Sequence, residues 1–141
     1  MTCNDALELI GSLVWALKGY AARLPPVVHL STMSGGLRPT PEAVEAYEQA
    51  VSRFRHQSGG SIYRRFNEQL IESLEAFEGG KLLGAIQPLL AVLDLLDVME
   101  RDHEITVIPA DKKRLGEYRM TLNRILPGNQ PELEGAGRGM V

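Results

Sequence analysis

Leu82 to Arg101 is the stretch that most restricts what this chain can become. It reads LLGAIQPLLAVLDLLDVMER, and nothing else in the chain is as long and as apolar. Its polar residues are Gln87, Asp94, Asp97, Glu100 and Arg101. From position 94 on they recur every three or four residues, which lines them along one stripe of a helix. Leu89, Leu90, Leu93, Leu96 and Met99 lie largely off that stripe. A helix apolar over most of its girth has to be surrounded by other elements. The acids, with Gly84 and Pro88, interrupt it too often for a membrane span. The sequence therefore predicts a central core helix. Pro88 either starts it or kinks it, and the apolar pattern running through favours the kink.

Other helices are available to surround it. Thr2 or Asn4 can cap a first helix, with Asp5 at its positive end. Ala6, Leu9, Ile10, Leu13, Val14, Leu17, Ala21 and Leu24 follow at helical steps, and Pro25-Pro26 stops them. Thr40-Pro41-Glu42 is a helix start. The seam behind it is narrow: Val44, Tyr47, Val51 and Phe54. Ser58-Gly59-Gly60 ends that helix. Ser61 can cap the next, whose buried row is Ile62, Phe66, Leu70, Leu74 and Phe77 and whose outer face is Glu68, Glu72, Glu75 and Glu78. Gly79-Gly80 then leads at once into the central helix, which implies an antiparallel hairpin. A last helix carries the seam Leu115, Tyr118, Leu122 and Ile125.

The expected fold is all-α or nearly so: one bundle domain over residues 1–128, about five helices around the central one. Residues 129–141, rich in Gly, Pro and polar side chains, read as a disordered tail. The long connection 25–40 is expected to dock by its first half and to move in its second. Two β-branched runs, 27–30 and 105–108, are candidates for a short two-stranded pairing.

Chemistry is sparse. Glu100 and His103 have the spacing of a di-iron half-motif, but such sites need the motif twice plus two more carboxylates. His29 and His56 have no Glu three residues upstream. No metal or cofactor is expected. Cys3 is the single cysteine; near a helix start its thiol pKa could be lowered, though a small terminal hydrophobe is the favoured reading. No G-x-S-x-G elbow and no phosphate loop is present. Enzyme function is not expected. The lone cysteine and the lack of a secretory signal suit a cytoplasmic protein.

Charge is arranged in blocks. Residues 51–66 hold Arg53, Arg55, Arg64 and Arg65 and no acid, and residues 67–104 hold nine acids against Lys81 and Arg101. Residues 105–125 hold Lys112, Lys113, Arg114, Arg119 and Arg124 against Asp111 and Glu117. One reading makes Arg53, Arg55, Arg64, Arg65, Lys112, Lys113 and Arg119 the surface of a nucleic-acid-associated regulator, using segments 53–65 and 112–124. Yet Phe54 and Phe66 fall on buried seams and cannot stack on bases. A net charge of −3 also argues against it. The favoured expectation is a non-enzymatic protein–protein interaction module, of adaptor, inhibitor or assembly and secretion chaperone type. Its partner would be another protein or a second copy of the chain, met through Val44, Tyr47, Val51 and Phe54 on the thinnest seam; the alternative is that the seam is ordinary core, the favoured reading for Val51 and Phe54.

Overall fold

In the computed structural model, residues 1–23 and 38–126 are described. They form five α-helices, α1 (Cys3–Arg23), α2 (Pro41–Ser58), α3 (Asn67–Glu78), α4 (Leu82–Arg101) and α5 (Pro109–Ile125), with a 3-10 segment Ile62–Phe66 before α3. No strand occurs among the described residues.

The helices begin where capping chemistry places them. Thr2 and Asp5 cap each other reciprocally: the Thr2 N–H donates to Asp5 Oδ2 at 2.9 Å and the Asp5 N–H donates to Thr2 Oγ1 at 3.1 Å. The Thr40 hydroxyl accepts from the Ala43 N–H at 3.2 Å, with Pro41 at the first helical position. α3 and α4 both end in Schellman motifs. Behind α3, the Gly80 and Lys81 N–H groups donate to Phe77 and Ala76 carbonyls, with Gly80 at φ 72°. Behind α4, the His103 and Glu104 N–H groups donate to Glu100 and Met99 carbonyls, and His103 itself takes φ 61°.

Contacts between elements set the topology. The hydroxyls of Tyr118 and Tyr20 donate to Leu7 and Gly80 carbonyls, each at 3.1 Å. Tyr47 meets Ser73, and Arg119 meets Asp94 and Asp97. Successive helices therefore run up, down, up, down and up. The first four close a ring, α1–α2–α3–α4. The fifth lies in the groove between α1 and α4, parallel to the former and antiparallel to the latter.

The core fills the ring. Leu7, Ile10, Leu13 and Leu17 of α1 and Leu89, Leu93 and Leu96 of α4 belong to one buried cluster, all at or below 1 % exposure. At the upper end Phe77 stacks on Tyr47, centroids 4.4 Å apart, and takes Tyr20 edge-on at 5.6 Å. α4 runs unbroken through Pro88, which is buried. By length and composition alone this helix would also pass for a membrane span, so its acids do not exclude one; half of that stretch is buried against other helices, as in a core helix.

Two expectations change. Residues 105–108 make no strand: they form an extended link that buries Val107, half-buries Ile105 and leaves Ile108 exposed. Among the described residues this run has no strand beside it, and an unpaired run stays a link whatever its β-branched content. The other half of that pairing, 27–30, lies outside the described residues, as do most of the 25–40 connection and the tail 129–141. The second change concerns α4. It is not enclosed on every side, and one full row of its surface faces outward.

Candidate partner-binding face

The outward row of α4 is Leu83, Gln87, Ala91, Asp94, Val98 and Arg101, all exposed. Steps of three and four keep these residues on one line. Leu83 is 40 % exposed and Val98 38 %. Half-buried Leu90 and Leu95 border the line. The result is a mixed stripe the length of the helix, in which Leu83, Ala91 and Val98 are interrupted by Gln87 and Asp94 and followed by Arg101.

Its two flanks differ. On one side lies α5, where Arg119 reaches both Asp94 and Asp97, the latter at 2.6 Å, and Lys112 pairs with Glu100 at 3.2 Å. On the other lies α3. A Cβ added at Gly84 would stand 3.1 Å from Ala76 Cβ, so the two backbones approach closely there. From that point the antiparallel hairpin places Glu72 about level with Pro88, and Gln69 and Glu68 about level with Ala91 and Val92, at ~1.5 Å of rise per residue. Glu68, Glu72, Glu75 and Glu78 are exposed, and no ion pair among the described residues engages them. Gln69, between Glu68 and Glu72, has its side-chain oxygen Oε1 buried with no hydrogen-bond partner among the described residues.

The residues singled out in the sequence lie elsewhere. Tyr47, Val51 and Phe54 are 1 %, 2 % and 1 % exposed, turned into the ring, and Val44 is half-buried. The Tyr47 hydroxyl donates to Ser73 Oγ, whose own proton goes to the Ala85 carbonyl at 2.7 Å. Burial raises the Tyr47 hydroxyl pKa well above the ordinary tyrosine value. A partner could reach these side chains only if α2 swung off the bundle. Of the basic residues, Arg119 and Lys112 serve α4's acids, and Arg65 pairs with Glu104 at 3.2 Å. Arg53, Arg55, Arg64 and Lys113 are exposed. The helices of opposite sign thus lie side by side, and much of the basic charge of α5 is neutralised within the chain.

A wide cleft of about 770 Å³ opens at the lower end, lined by Asp97, Glu100, His103, Thr106, Val107 and Lys112. Glu100 and His103 share it, but Glu100 is held by Lys112 and the His103 backbone forms the helix stop. No group of three metal-ligating side chains occurs among the described residues. Cys3 is buried, and burial, then the charge of Asp111, pushes its thiol up to about 11, the reverse of an activated nucleophile.

The stripe escaped the sequence reading because Asp94, Asp97, Glu100 and Arg101 looked like the solvent line. Asp97 and Glu100 instead face α5. The true marker was the seven-residue recurrence of Gln87, Asp94 and Arg101, two helical turns apart, with Leu83, Ala91 and Val98 on the same line. No family model matches the chain, and no match emerges from the curated proteins or from the solved structures compared with it.

Proposed function

We propose that this protein is an interaction module, of adaptor, inhibitor or assembly-chaperone type, that receives a partner chain across the outward face of the α3–α4 hairpin. The observation that carries this reading is the exposed row Leu83, Ala91 and Val98 on the chain's most apolar helix. Single exposed apolar residues are ordinary; three on one line of the most apolar helix give a partner repeated apolar footing between polar positions. The packed core beneath holds the row on a formed helix, which lowers the ordering cost of binding. The edges are polar, as the rim of an interface is.

The variant Leu83→Gln, Ala91→Gln, Val98→Gln tests this. It removes the apolar row and keeps helix-forming, uncharged residues. A partner captured from the native cells by the wild-type chain, once purified, should bind the wild type and lose at least about tenfold affinity for the variant, each lost contact being worth of order 1 kcal/mol. Unchanged affinity, with the variant folded by its melting curve, would remove the face from consideration.

A further inference from the structure

We infer that the segment received is a cationic amphipathic helix; this rests on the reading above and specifies its partner. The α3 flank of the stripe carries Glu68, Glu72 and Glu75, spaced four and three apart, without a cation among the described residues. The α5 flank, by contrast, has its acids answered by Arg119 and Lys112. Negative charge is thus left open on one side only. Gln69, Glu68, Glu72 and Glu75, with Ile71, line one shallow depression of about 410 Å³. An ammonium or guanidinium group on a partner would pair with the carboxylates there.

The cations must be spaced along a chain. The carboxylates do not gather into a metal-binding group. Their four-and-three spacing instead matches Lys or Arg repeating along one face of a facing helix, whose apolar face then lies on Leu83, Ala91 and Val98. The same acids repel an anionic lipid surface or a nucleic acid. They also oppose an antiparallel second copy docked stripe to stripe, because a two-fold axis across the helix would set α3 against α3 and bring like charges together.

Two synthetic helices of about five turns decide the matter, with the same leucine face and either lysine or glutamate on the other. Titration of each against the full chain by fluorescence anisotropy gives affinity. The lysine peptide should bind, and weaken about tenfold or more as salt rises from about 0.05 to about 0.5 M. The glutamate peptide should bind at least about tenfold less tightly. Glu68→Gln, Glu72→Gln, Glu75→Gln should weaken the lysine peptide by up to about tenfold without moving the melting curve, since each exposed pair is worth a factor of about two. The stripe variant should weaken it independently of salt. Equal, salt-insensitive binding of both peptides that the stripe variant abolishes would overturn the cationic partner and leave the face standing. Binding untouched by the stripe variant would overturn both. Binding of neither peptide, or self-association of the chain through the stripe in sedimentation, would overturn the inference.

Discussion

Tyr47 carries two jobs that its place in the sequence does not separate. Its ring stacks on Phe77, and its hydroxyl begins a buried relay through Ser73 to Ala85. Periodicity marks such a residue as apolar seam, and it is silent on the hydroxyl, because the partner lies 26 positions away. Cys3 is similar. Position offered an activated thiol at a helix start or, as the favoured reading, a small hydrophobe, and tertiary packing buries the side chain near Asp111 and Tyr63. Its pKa rises from 9.0 to about 11, so the folded state holds its proton more tightly than the unfolded chain. The contribution of Cys3 to stability should therefore be constant below pH 9.0 and be lost as the pH climbs to about 11. Urea midpoints measured across that window should drop for the wild type and drop less for Cys3→Ala. His103 offers a change of the opposite sign. It holds φ 61° at a helix stop where glycine is at ease. His103→Gly should raise stability by up to about 1 kcal/mol in the same assay.

Helix existence and order were legible in the chain, because caps, stops and three-four spacing are local. Thr2, Thr40 and Gly80 act where they were read. What local pattern could not supply was which helix lies on which. The narrow seam of α2 looked under-used only because the sequence does not show Phe66 and Phe77 waiting for it. The row on α4 looked covered because nothing in its pattern says that five helices leave one side bare. Two predictions belong here. Leu93 lies fully buried at the middle of α4, so Leu93→Asp should cost more than about 4 kcal/mol and unfold the chain in a thermal melt. The helical glycines should split in sign. Gly19 and Gly116 face open space, so alanine at either should stabilise by up to about 1 kcal/mol. At Gly11 a Cβ would strike the Tyr118 hydroxyl and push it off the Leu7 carbonyl, so Gly11→Ala should destabilise by about 1–3 kcal/mol, propensity notwithstanding. Urea unfolding of the three variants checks all of this.

Across the whole molecule the helices differ in how far along the chain they look for their neighbours. α3 and α4 are consecutive and tightly joined, and Ser73 finds Ala85 only 12 residues on. α1 depends on the opposite extreme: Asn4 and Leu7 accept hydrogen bonds from residues 110 and 111 positions later. Local pairings close early and long loops close late, so the hairpin should nucleate folding and α5 should dock last. Tyr118→Phe should then speed unfolding and leave the refolding rate nearly unchanged in stopped-flow chevrons, whereas Leu89→Ala should slow refolding. Synthesis adds a further turn. α1 leaves the ribosome first, yet the helix that covers its Leu7–Gly11 flank is made more than a hundred residues later, and at ~5–20 residues per second that interval is several seconds. Through that time α1 must wait with one side bare.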